Sequence, residues 1–280
     1  MVRVGVHVSI AGSISLSVDR AVAAGCDTFQ IFSRNPRGWQ YKELTDEDCR
    51  RFRERLAMSG IGPVVDHMPY LPNLAAPGED MYQKSISTLT IELGRCEALG
   101  IPYLVTHLGH HLGAGKDSGI RRVVEAITRA FAASPGRTML LLENTAGEKN
   151  SVGSTFEDIR TIIDQIPDKR RIGVCFDTCH AFAAGYDLRT PEGVTATLDA
   201  LDSTIGLDRI RVVHCNDAKG DLGSHLDRHE HIGLGSIGEE GFRQILRHPA
   251  IRQVPLLCET PDDPRRDDAG NIAKLRELAG

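Results

Sequence analysis

Along the chain, short runs of apolar and β-branched residues alternate with stretches in which apolar positions recur every three or four residues. The runs are Arg3 to Val8, Thr28 to Phe32, Pro63 to Asp66, Tyr103 to Thr106, Met139 to Leu142, Ile172 to Phe176, Ile210 to Val213 and Val254 to Cys258, which predicts eight strands. Between them, the clearest helical stretch puts Ile86, Leu89, Leu93, Cys96 and Leu99 on one face and stops at Gly100. Another opens on Thr45 with Asp48 three residues later, a capping-box pattern, and runs to Gly60. A third carries Phe156, Ile159, Ile162, Ile163 and Ile166, and the last carries Ile272, Leu275 and Leu278. Strands alternating with helices pair in parallel, and eight such units in 280 residues match a closed barrel better than an open sheet. Length alone leaves one domain or two open. No linker rich in Pro, Gly or Ser divides the units, so the expectation is one α/β domain over residues 1–280, a (β/α)8 barrel.

The residues that follow each run carry the chemistry. The strand ends meet His7, His67, His107, Glu143, Asp177, His214 and Glu259, so seven of the eight finish on a side chain able to bind a metal or move a proton. In a parallel barrel these ends open on one face, where barrel enzymes keep their catalytic groups. A single His or Glu at a strand end is more often a cap or a surface group than a ligand. Here ten of the eleven histidines lie in or just after a strand-to-helix boundary, with His248 alone standing clearly apart, and that clustering reverses the weighting. Asp177 and His180 lie three apart where strand turns to helix and can face one side; Asp227 and His229 alternate along an extended segment and can grip one ion. Imidazole and carboxylate without thiolate suit Zn²⁺, or Mn²⁺ or Fe²⁺, at about 2.0 to 2.2 Å. Five histidines (His67, His107, His180, His214, His229) and four carboxylates (Glu143, Asp177, Asp227, Glu259) are too many for one ion. At three protein ligands per open zinc they suggest three ions, with one carboxylate bridging.

Composition is that of a globular protein, 41% apolar and 25% charged. The opening MVRVGVHVSIAGS reads as strand and turn, without the stages of a signal peptide, and no apolar stretch approaches the ~20 residues of a membrane span. Seven cysteines at irregular spacing form no disulfide framework, and Cys175, Cys215 and Cys258 lie in apolar runs as buried thiols. The expectation is a cytoplasmic protein without a membrane partner. A formal charge of −5 argues against gripping nucleic acid through a broadly basic surface. Three divalent cations, with six positive charges, would carry that −5 to +1 and concentrate the gain in one cleft.

The stretches Asp177 to Asp187 (DTCHAFAAGYD), His214 to Asp217 (HCND), Gly223-Ser224 and Asp227 to Gly238 (DRHEHIGLGSIG) closely resemble the signatures of the endonuclease IV family of apurinic/apyrimidinic (AP) endonucleases. The likeness runs from Gly5 to Ser9 (GVHVS) through Glu259-Thr260. It implies three zinc ions at the barrel mouth and cleavage of duplex DNA 5′ to an abasic site, leaving a 3′-hydroxyl and a 5′-deoxyribose phosphate. Removal of 3′-blocking groups is implied as well. Position by position it implies that His67 and His107 hold one zinc and that Glu143 bridges it to a second. Asp177, His214 and Glu259 would complete the second, and His180, Asp227 and His229 would hold the third. A water between two such ions loses its proton near pH ~7 and becomes the nucleophile. Glu143 and Glu259 are the catalytic candidates, Glu259 for orienting or deprotonating that water. The family also suggests a monomer.

Damage recognition is expected from the loop Arg34 to Trp39 (RNPRGW) and from Tyr70-Leu71, which follow the second and third strands; Arg37, Tyr70 and Leu71 are the candidate DNA contacts. An abasic nucleotide has little stacking to lose, so inserting a side chain there costs less than at an intact pair. Gly38 departs from the Gln of some relatives, so a gap-filling side chain must come from elsewhere. Gly233 to Gly238 fits G-x-G-x-x-G, but a polar segment precedes it in place of a strand, so no nucleotide cofactor is expected. Asp262, Asp263, Asp267 and Asp268 with Arg265 and Arg266 read as a solvated loop. The competing enzyme reading is a metal-dependent sugar isomerase or epimerase on the same barrel, which needs one or two ions and leaves the Asp227-x-His229 pair unexplained. A non-enzymatic DNA-binding scaffold would bind without cleaving.

Overall fold

A computed structural model describes residues 2–280. The apolar runs form strands β1 (Arg3–Val6), β2 (Phe29–Ile31), β3 (Val64–His67), β4 (Tyr103–Thr106), β5 (Met139–Glu143), β6 (Ile172–Asp177) and β7 (Ile210–His214). Two short strands follow, β8 (Asp217–Ala218) and β9 (His229–Glu230), which pair antiparallel with each other, and then β10 (Pro255–Cys258). The eight long strands are all parallel, in the order β1-β10-β7-β6-β5-β4-β3-β2. The two ends of that order meet: Val8 N donates to Gln30 O at 2.8 Å, Asp27 N to Val4 O at 2.8 Å, and His7 bridges Gln30. At this seam a β-carbon on residue 5 would lie 1.7 Å from the Thr28 carbonyl oxygen, so the approach of β1 to β2 requires Gly5. The expected barrel thus stands, with strand limits shifted by one or two residues.

Around it lie α1 (Leu16–Ala23), α2 (Asp46–Ser59), α3 (Glu79–Leu99), α4 (Lys116–Ala133), α5 (Phe156–Gln165), α6 (Thr178–Ala184), α7 (Pro191–Thr204), α8 (Gly238–Arg247), α9 (Pro249–Arg252) and α10 (Asp268–Ala279). The capping box at α2 forms as read: Thr45 Oγ1 accepts from Asp48 N at 3.1 Å, and the Asp48 carboxylate accepts from Thr45 N at 3.2 Å. Helices α2 and α3 end on Gly60 and Gly100 at φ 71° and 73°, where the left-handed turn favours glycine. Ile166 falls just beyond α5 in extended backbone and is buried. The sequence does not predict the β8–β9 pair, because strands of two residues leave no period to read. All seven cysteines are free and buried, and no helix among the described residues is long and apolar enough to cross a membrane.

The barrel interior explains where the chemistry sits. Val65, Val105, Leu141, Cys175, Val212 and Leu257, one from each of six strands, pack as a fully buried cluster separate from the larger core beneath the helices. Each lies two residues before His67, His107, Glu143, Asp177, His214 or Glu259. Strand side chains alternate, so these six polar residues face the same interior one layer nearer the mouth. The apolar layer is the floor on which they stand.

Candidate metal centre

Nine side chains from seven segments converge into three groups, two of which share a member, and within each the potential ligand atoms lie within 4.8 Å of one another. His67, His107 and Glu143 form the first; Glu143, Asp177, His214 and Glu259 the second; His180, Asp227 and His229 the third. Glu143 belongs to two. Its Oε2 lies 3.2 Å from His67 Nε2 and 3.3 Å from His107 Nε2, while Oε1 lies 2.9 Å from His214 Nδ1. Asp227 Oδ1 stands 3.2 Å from His180 Nε2 and 3.3 Å from His229 Nε2. All nine expected residues thus lie in the constellation, and these three groups have the membership that the sequence resemblance implied; Glu143-Cys175-His214 and Asp177-Cys179-His229 come equally close. Cys175 and Cys179 also approach it, but burial raises both thiols, Cys175 to about 12, which favours the protonated form.

The polar shell around the nine fixes which ring nitrogen faces inward. His67 Nδ1 bonds Met68 O at 2.7 Å, His180 Nδ1 bonds Asn144 O at 2.9 Å, and His229 Nδ1 bonds Glu259 O at 2.9 Å. A carbonyl accepts only, so each Nδ1 carries the proton and each Nε2 presents a lone pair to the cluster. Nε2 of His180 and of His229 is buried with no hydrogen-bond partner. Buried polar atoms left this way call for an absent partner, and two basic nitrogens facing one carboxylate fit a divalent cation. Two asparagines hold the carboxylates. Asn144 clamps the Asp177 backbone through both its amide atoms, and Asn216 donates to Asp177 Oδ2 at 2.7 Å and accepts from Glu259 N at 2.7 Å. Neither stands out in the sequence, because an Asn beside a ligand has no spacing rule to distinguish it.

Electrostatics point the same way. Glu143, Asp177 and His214 are wholly buried, and His67 and His180 nearly so. Burial alone would raise Glu143 and Glu259; the surrounding imidazoles override it, holding Glu143 far below the carboxylate range and Glu259 at about 2. Burial likewise opposes charge on His229, yet the Asp227 carboxylate 3.3 Å from its Nε2 and the charge of Asp177 lift it to about 9. The pocket of four carboxylates demands positive charge, and cations satisfy that demand more completely than ring protons.

A family model described as "Xylose isomerase-like TIM barrel" matches residues 18–278. The probable endonuclease 4 of Methanoculleus marisnigri is 67% identical over the whole of both chains, and that of Methanosphaerula palustris is 61% identical over 100% of this chain and 99% of its own. Endonuclease IV from Thermus thermophilus superposes with a TM-score of 0.89 at 38% identity, covering 99% of this chain and 98% of that one. The chain belongs to the endonuclease IV family. The expected nuclease assignment stands with it. A D-tagatose 3-epimerase-like protein, 19% identical with a TM-score of 0.73, shares the fold alone.

In this member of the endonuclease IV family six of the nine residues, all but Glu143, Asp177 and His214, line a cavity of about 570 Å³ together with His7, Phe32, Tyr70, Glu148 and Thr260. Tyr70 projects at its rim, its ring 5.0 Å from Phe32, which in turn meets His67 at 5.5 Å. Arg37 is exposed on the neighbouring loop, tied to Tyr70 by the bond from Tyr70 N to Pro36 O at 3.2 Å. Leu71 is half-buried and does not line the cavity. The glycine-rich loop proves to be an anion nest whose anion is internal: the buried Asp217 carboxylate accepts from Gly233 N at 2.9 Å, Gly235 N at 3.0 Å and Ile237 N at 2.9 Å. The acidic and basic stretch near residue 265 is not simply solvated. Arg265 grips Glu230 through two bonds of 2.9 Å, Asp263 lies 3.2 Å from His231, and Arg266 reaches Ile232 O, so it latches the segment that carries His229.

Proposed function

We propose that the chain is an AP endonuclease that holds three zinc ions and hydrolyses the phosphodiester 5′ to an abasic site in duplex DNA. It leaves a 3′-hydroxyl and a 5′-deoxyribose phosphate, and it removes 3′-blocking groups by the same chemistry. The observation that carries this reading is the gathering of nine ligand-type side chains into three groups, two of them sharing Glu143, at the mouth of one cavity. His67, His107 and Glu143 would hold one ion, Glu143, Asp177, His214 and Glu259 the second, and His180, Asp227 and His229 the third. Nitrogen and oxygen ligands suit zinc, with Mn²⁺ or Fe²⁺ as substitutes. When bound, such ions supply a nucleophile at neutral pH and stabilise charge on the phosphate and on the departing oxygen.

The protein groups do the rest. Glu143 spans two positions and sets their separation. Glu259, held by Asn216 through its backbone, orients the attacking water on the cavity side. Four carboxylates against three divalent ions leave a local charge of +2 that draws in the scissile phosphate. Tyr70, Arg37 and, less directly, the half-buried Leu71 would probe the duplex at the missing base. The protein would act as a cytoplasmic monomer. Epimerases share the fold, but one or two ions and a sugar would leave the third group without a task.

Purified protein should nick a duplex bearing one abasic analogue 5′ to the lesion, carry three metals per chain by elemental analysis, and resist brief chelation while losing activity on prolonged chelation. Glu143→Ala and Asp227→Ala should each lower incision by at least about a hundredfold. A fully metallated protein that leaves the duplex intact ends the reading.

A further inference from the structure

Gln30 is wholly buried on β2, where its backbone partners Val65 of the apolar barrel floor. A polar amide in such a layer costs about 1–3 kcal/mol unless every hydrogen-bonding group finds a partner. Gln30 finds three. Its Oε1 lies 2.9 Å from His214 Nε2; its Nε2 lies 2.6 Å from Glu259 Oε1 and 3.1 Å from His7 Nδ1. The carboxylate can only accept, so the amide nitrogen must face Glu259 and His7, and the amide oxygen must face His214.

Three consequences follow from that one orientation. His214 must carry its ring proton on Nε2, which frees Nδ1 to face Glu143 at 2.9 Å and Glu259 at 3.2 Å. Glu259 is held by one oxygen, leaving Oε2 turned to the cluster. His7 accepts at Nδ1, so its proton sits on Nε2, for which no protein partner exists among the described residues; the ring lines the cavity, against Phe32 at 4.3 Å.

We propose that Gln30 is a positioning residue of the metal centre: one amide sets the ring tautomers of His214 and His7 and the orientation of Glu259. The inference rests on the metal-centre reading above and extends it to a residue outside the nine. It makes His7 Nε2–H a neutral donor offered to whatever enters the cavity.

The test uses ¹⁵N-labelled, zinc-loaded protein. Long-range ¹H–¹⁵N spectra of the wild type should show His214 and His7 both protonated on Nε2. Gln30→Leu keeps the volume and removes all three bonds; it should lose metal to a chelator about ten to a hundredfold faster and shift the visible spectrum of the cobalt-loaded chain. Gln30→Glu still accepts from His214 but has no proton for His7. In that variant His214 should keep its tautomer while His7 moves its proton to Nδ1, and repulsion of Glu259 should alter the cobalt spectrum. If Gln30→Leu fails to fold, the His7 switch in Gln30→Glu decides alone. Wild-type chelation rates and unchanged His7 and His214 tautomers in the variants overturn the inference while leaving the metal centre intact. A wild-type chain that takes up no metal removes the parent reading and this one together.

Discussion

Tyr70 is two-thirds exposed and stacked edge-on against Phe32, an arrangement that presents an aromatic face to the mouth without supplying a ligand. Stacking of a base or an exposed pair on such a ring is worth about 1–3 kcal/mol. Tyr70→Ala should therefore raise KM for an abasic duplex roughly tenfold while the metal content and the rate at saturating DNA hold. A loss of metal would reassign Tyr70 to the support of His67 through Phe32. At this scale the sequence revealed the nine ligand-type residues because each lies at or near a strand end or pairs at a short spacing. It hid Gln30, Asn144 and Asn216, whose amides matter through contacts that join positions as far apart as 229 residues.

Between elements, the segment from β8 to α8 carries Asp227 and His229 yet has few bonds of regular secondary structure to hold it. Asp217 substitutes for that missing ladder, with one carboxylate gathering the backbone N–H groups of the glycine-rich loop. A β-carbon at residue 235 would come within 2.6 Å of the Asp217 carboxylate and 2.5 Å of Ala218 O, so the nest needs its glycine as well as its acid. Asp217→Ala leaves those donors buried and unpaired, and should cost about ten to a hundredfold in affinity for the third ion. Partial chelation followed by metal analysis should return two ions per chain for the variant against three for the wild type; equal counts would reduce Asp217 to a local stabiliser. The eight strands were legible because each is a continuous apolar run, and α2 and α3 because caps mark their ends. The hairpin and the Arg265 latch were not, since they are polar, short and held by side chains distant in sequence.

For the whole molecule the question is how a chain of charge −5 binds a polyanion. Of its four cluster carboxylates, Asp227 and Glu259 line the cavity that a phosphate would have to enter and Glu143 and Asp177 lie buried behind them, so without cations that mouth repels DNA. The three divalent ions proposed above would reverse the sign where it matters and bring the molecule to a formal +1, so affinity should depend on the metals more than on any surface lysine or arginine. Binding to an abasic duplex whose scissile linkage resists hydrolysis separates this from catalysis. At about 0.1 M salt the stripped protein should bind at least tenfold more weakly than the loaded one, and the gap should narrow as salt rises and screens the mouth. Circular dichroism on the stripped sample confirms that the barrel is still folded when the comparison is made. Equal affinities would place the DNA grip on the rim loops around Arg37 and Tyr70, and the cavity's charge would then serve the cleavage step alone.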